Sequence, residues 1–125
     1  MRRLLTISIA MSVTAAVAGQ GPEVRNVMRE KLARTHKILE AVVTSDWATL
    51  EAQSRALEQL THDPRWTALR YPEYARYSAA FVRDVQSLHA AAERRDSDEA
   101  PKAYAAMTLQ CAACHRYLAR ARIAH

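Results

Sequence analysis

Five consecutive residues near the end of the chain carry its most specific chemistry: Cys111-Ala112-Ala113-Cys114-His115. They include the only two cysteines of the 125-residue sequence. Two thiols three residues apart share one side of a helix, and the next residue adds a nitrogen ligand. This C-x-x-C-H spacing is the attachment signature of c-type haem. The thiols reach the two vinyl groups on one porphyrin edge and form thioethers, and the His115 imidazole then faces the iron. At about 100° per residue, Cys114 sits about 60° to one side of Cys111 and His115 about 40° to the other. Tyr104, Met107 and Leu118 fall within the same arc. The motif therefore has an apolar wall on either side along its helix.

Other uses of two cysteines fit less well. A redox dithiol usually opens a helix beside a strand, and no strand pattern is present. A zinc site would want a second cysteine pair. A disulfide three residues long constrains almost no chain and stabilises little. The expectation is one covalently attached haem c, with its iron, per chain. Cys111 and Cys114 are the thioether donors and His115 is the proximal iron ligand.

Such attachment takes place outside the bacterial cytoplasm, and the N-terminus agrees. Arg2 and Arg3 form a basic start. Leu4 to Val17 is uncharged and mostly apolar, and Ala16-Val17-Ala18 is a small-x-small cleavage site. This is the pattern of a secretory signal peptide. Residues 1–18 read as that peptide and 19–125 as the mature domain, exported to the periplasm. No apolar run reaches the roughly 18 residues of a membrane-spanning helix, so no stable span is expected after cleavage.

Loss of Arg2 and Arg3 leaves 16 basic against 13 acidic residues, a formal charge of +3. No basic stripe with interleaved aromatics is present, so nucleic acid is not an expected partner. No Ser-His-Asp set, carboxylate pair or Gly-rich phosphate loop appears either, and the chain does not read as a hydrolytic or group-transfer enzyme.

The elements that position the motif read as four helices. With only 2 Gly and 4 Pro, and half the residues apolar, the composition favours an all-α fold. The first helix should start near Pro22, with the stripe Val24, Val27, Met28, Leu32, Thr35, Ile38, Leu39 and Val42. Thr44, Ser45 and Asp46 break it, with Thr44 or Ser45 as the next cap. The second helix carries Trp47, Leu50, Ser54, Leu57 and Leu60. A loop over 61–72 holds Trp66, Leu69 and Tyr71 and should pack on the domain. The third helix follows Pro72 with Tyr74, Tyr77, Phe81, Val85, Leu88 and Ala92. Asp96 and Glu99 have capping-box spacing before a fourth helix from about Glu99 to Arg120. Short first and last connections make those neighbours antiparallel, and the whole reads as an antiparallel four-helix bundle with covalently bound haem.

A four-helix bundle with one C-x-x-C-H near the end of the last helix resembles the class II cytochromes c. These comprise high-spin cytochrome c′ and low-spin cytochrome c-556 types, and the resemblance spans nearly all of residues 19–125. In the low-spin branch the first helix carries a Met followed by a basic residue, and that Met is the second axial ligand. The matching stretch is Arg25-Asn26-Val27-Met28-Arg29. One feature departs from the family. An aromatic and then a basic residue are often third and fourth after the haem histidine. Here those positions are Leu118 and Ala119, with Tyr117 and Arg120 one place away.

The group opposite His115 decides the function. Met107 lies about 12 Å from His115 along the same helix and cannot reach the other haem face. Met28 matches the family ligand, and it also fits as a plain core residue. His36 lies about 12 Å beyond Met28, so both cannot meet one iron. His89 reads as a partly exposed surface histidine, and His62 and His125 show no pattern. Arg25 is either a propionate partner or a solvated arginine, and Trp66 either covers a haem edge or pins the loop. With Met28 bound, the resemblance implies a one-electron carrier serving redox partner proteins in the periplasm. With an open distal site it implies a five-coordinate, cytochrome c′-like protein binding NO or CO. Family members are often dimers through the first helix, so a homodimer is also an expectation.

Overall fold

The computed structural model describes residues 20–121, with side chains from residue 23. The signal peptide expected over 1–18, and His125, lie outside the described residues. Four helices follow one another: α1 Gln20–Thr44, α2 Trp47–Leu60, α3 Pro72–Glu93 and α4 Glu99–Arg120. No strand occurs among the described residues, and none of these helices is long and apolar enough to cross a membrane.

Cross-helix contacts give the directions. On α2 and α3, Ser54 meets His89 while Gln86 meets Glu58. The rising number on one helix pairs with a falling number on the other, so the two are antiparallel. Arg34 of α1 reaches Gln53 of α2 across a tight turn. Tyr77 of α3 stacks on Tyr117 of α4, ring centroids 5.9 Å apart. Each helix therefore runs against the one before it. α4 also touches α1, and that seam is the loosest of the four. The all-α expectation stands, and the arrangement is compatible with a helical bundle.

The two short turns share one construction. Ser45 and Arg95 adopt left-handed backbone, φ 56° and 53°. After α1, Asp46 N–H donates to the Ala41 carbonyl and Ser45 N–H to Val42. After α3, Asp96 N–H donates to Ala91 and Arg95 N–H to Ala92. These paired bonds satisfy the last carbonyls of each helix in a Schellman motif. The following aspartate then caps the next helix. Asp46 accepts from the Thr49 N–H at 3.0 Å, and Asp96 from the Glu99 and Asp98 N–H groups at 2.9 and 3.2 Å. Neither Thr44 nor Ser45 supplies the α2 cap: Thr44 turns its hydroxyl back to the Glu40 carbonyl. Half of the capping box forms, since the Glu99 carboxylate pairs with Lys102 instead.

The core follows the stripes of α2, α3 and α4 closely: Leu50, Leu57, Phe81, Val85, Leu88 and Met107 are buried. Burying each such side chain contributes roughly 1.5–3 kcal/mol. Buried Ser54 donates to the Glu51 carbonyl and contacts His89 Nδ1 at 3.0 Å. His89 thus faces inward toward α2, not out to solvent alone. α1 departs most. Leu32 and Leu39 are 55% and 44% exposed, so its buried face runs instead through Val27, Thr35, Ile38 and Ala41. The described α1 begins at Gln20, two residues before Pro22, and α2 stops at Leu60, before His62-Asp63-Pro64.

A left-handed, non-glycine residue costs about 1–2 kcal/mol, part of which glycine's greater freedom when unfolded takes back. Arg95→Gly should raise the unfolding free energy by about 0.5–1 kcal/mol in urea titrations, and Arg95→Val should lower it.

Candidate functional site

The helical spacing of the motif survives intact in α4. Cys111 and Cys114 are free thiols, both partly buried. Cys111 packs against the main core, beside the fully buried Met107 one turn earlier. His115 is exposed. The thiols and the imidazole therefore divide: the sulfurs turn inward and the ring lies toward solvent.

The inward side is built by three other parts of the chain. The loop between α2 and α3 brings Trp66, 2% exposed, onto Phe81 of α3, ring centroids 5.4 Å apart. Its indole N–H donates to the Ser78 hydroxyl at 3.2 Å, and the Tyr74 hydroxyl donates to the Trp66 carbonyl at 2.6 Å. The loop is pinned as its aromatic content suggests, and it is pinned to α3. Asp63 and Arg65 hold its start together in a forked ion pair with contacts of 2.6 to 3.1 Å.

α1 completes the site with a residue that the apolar stripe passes over. The Lys31 ammonium lies 3.6 Å from the centroid of the Phe81 ring and 4.6 Å from a Trp66 ring. Burial pushes its pKa down from 10.5, while Cys111 and Cys114 beside it pull the other way, Cys111 also by a hydrogen bond. The Cys114 thiol is itself pushed up by burial, against the nearby Lys31 charge. Burial likewise raises Tyr104, which faces Cys111. One site thus gathers Lys31, Trp66, Tyr74, Phe81, Tyr104 and both cysteines. The one sequence signal for Lys31 is its place a turn after Val27 and a turn before Thr35, on the buried face of α1.

The other expected residues separate. Met28 is partly buried, packs on the core and sits one turn before Lys31. His36 and Arg25 are exposed on α1. His89 belongs to the α2–α3 contact. His62 lines an open hollow of about 400 Å³ with Glu30, Arg34 and Asp63, away from the motif. Among the described residues no group of three or more His, Cys, Asp or Glu converges on a point.

By donor chemistry alone, two thiols and an adjacent imidazole could hold a covalently attached porphyrin, although the imidazole lies toward solvent and the thiols inward. Two thiols face a seam that the α1 and α4 backbones leave loose, with aromatic side chains behind it and an accessible imidazole one residue on. No protein-family model, curated protein or solved structure matches the chain.

Tyr74 supplies a test of this packing. Its pKa is pushed up from 10.0 to about 12, first by burial and then by Cys114. The folded chain therefore holds the proton more tightly than the unfolded one. Between pH 10 and about 12 the folded state binds more protons, so its stability falls as pH rises through that window. Urea titrations over pH 9 to 12 should show this fall, and Tyr74→Phe should reduce it. At pH 7 that variant should lose about 1–3 kcal/mol, because the Trp66 carbonyl is left without its donor.

Proposed function

We propose that the chain is an exported c-type cytochrome of the class II kind, which carries one electron at a time between redox partner proteins in the periplasm. The observation that carries this reading is the pair of inward-facing thiols on α4 opposite the loose α1 seam. Cys111 and Cys114 would hold haem c through thioethers, and His115 would be the proximal iron ligand. Met28, on the opposing α1, would be the distal ligand. The bound haem supplies a one-electron Fe(III)/Fe(II) couple, in which no bond to the protein is made or broken. The chain's residues do the rest. The thiols would fix its orientation, Trp66 and Phe81 would exclude water from one side, and the Met28 sulfur with the His115 imidazole would raise the potential relative to other ligand sets.

A second copy of the chain is the proposed partner at α1. Leu32, Leu39 and Val43 are 55%, 44% and 74% exposed, and their spacing puts them on one face of the helix. Sedimentation should show a dimer that Leu39→Glu with Val43→Glu dissociates. A wild-type monomer at all concentrations would discard that interface.

The main test is an optical spectrum of the matured protein, oxidised, reduced with dithionite, and then exposed to carbon monoxide. A low-spin spectrum unchanged by carbon monoxide is expected, turning high-spin in Met28→Ala. A high-spin spectrum that shifts with carbon monoxide would instead favour the five-coordinate, gas-binding reading and remove Met28 as ligand. A chain without covalent haem would overturn both.

A further inference from the structure

Among the described residues, Lys31 lies over two aromatic rings, whereas Arg76 lies over one and also pairs with Glu73. The ion-paired arginines and Lys102 reach carboxylates near the surface. Lys31 instead has two aromatic faces and two thiols as neighbours. An ammonium over ring faces gains the attraction of the ring quadrupoles, and more so when water is removed. That arrangement solvates a positive charge without cancelling it. Its field therefore extends into the space next to the sulfurs.

We propose that Lys31 is a potential-setting residue of the haem site, its ammonium held by Phe81 and Trp66 beside Cys111 and Cys114 so that it disfavours oxidised iron. This rests on the functional reading above. Any group bonded to both sulfurs lies near the Lys31 charge, because the ammonium already neighbours both. The oxidised iron carries one positive charge more than the reduced iron. A fixed cation nearby raises the energy of the oxidised state more than that of the reduced state. The interaction is strong in a poorly hydrated site, where the effective dielectric is far below that of water. Electron uptake from a donor protein is then favoured and the potential rises. Lys31 acts on the same couple as the axial ligands, by charge and not by coordination.

The position on α1 makes the role specific. Lys37, on the same helix, is exposed, and solvent and salt screen its charge. The two lysines differ in surroundings, not in chemistry, so they form a matched pair for experiment.

Spectroelectrochemical titration of the holoprotein measures the effect. Lys31→Gln removes the charge and should shift the potential downward. Lys31→Arg keeps the charge and should stay near wild type. Lys37→Gln should shift the potential less than Lys31→Gln. The α-helical circular dichroism and the oxidised spectrum should be the same in all four proteins. If Lys31→Gln does not fold, Lys31→Leu takes its place, since an apolar side chain costs less between two rings. Equal shifts for the Lys31 and Lys37 variants would overturn the proposal while leaving the cytochrome reading in place. So would a changed spin state in Lys31→Gln, which would make Lys31 a ligand and not a field source. A wild-type chain without covalent haem would remove both readings together.

Discussion

The contact of one lysine ammonium with the rings of Phe81 and Trp66 joins three separate parts of the chain. Lys31 comes from α1, Trp66 from the loop after α2, and Phe81 from α3. A charge inside a helical domain has to be met by something, and no ion pair involving Lys31 appears among the described residues. The two rings do that work, and in doing it they fix the loop. Trp66 can face Lys31 only because Ser78 and Tyr74 hold its indole and its carbonyl. The loop is therefore a wall of the site rather than a spacer between helices. The thiols of α4 close the remaining side.

Much of the fold was legible from periodicity. The stripes on α2 and α3 put Leu57, Phe81, Val85 and Leu88 in the core because each of those helices packs closely on two neighbours. The stripe on α1 misled at Leu32 and Leu39. Apolar type at three-and-four spacing marks a face that is able to be buried, and a helix with one loose seam buries only part of it. The turns show a second limit. Ser45 and Arg95 take left-handed backbone although neither is glycine. A sequence with its two glycines ahead of the first turn gives no local signal for that conformation. The aspartate after each was visible, and at Asp96 its role was too, since a capping box is a local pattern.

The site divides in the same way. Cys111, Cys114 and His115 form a local motif, readable because its chemistry depends on spacing within one helix. Lys31 is defined by what surrounds it, and those partners lie about 35 to 83 residues away in sequence. A lysine on an amphipathic helix is normally solvated. Only the tertiary fold shows that this one is covered. Ser54 and His89 repeat the lesson: the serine looks out of place on its apolar stripe, the histidine reads as a surface residue, and each accounts for the other.

The loose seam between α1 and α4 has a mechanical origin. α1 is held from the side of α2, where Arg34 bridges Glu30 and Gln53, and through the Lys31 contact with the loop and α3. Its position is set by elements other than α4. That hold on α1 would, in the proposed reading, preorganise its distance from the thiols for a planar group. In the proposed reading, α4 supplies the covalent and proximal bonds and α1 decides the opposite face. Met28 and Lys31 sit one turn apart on that helix, so a single rigid element would present both a neutral donor and a fixed charge. A change in how α1 rests on α2 would move both together. In that reading, substitutions at the Arg34–Gln53 contact would bear on the same chemistry as substitutions at the motif itself.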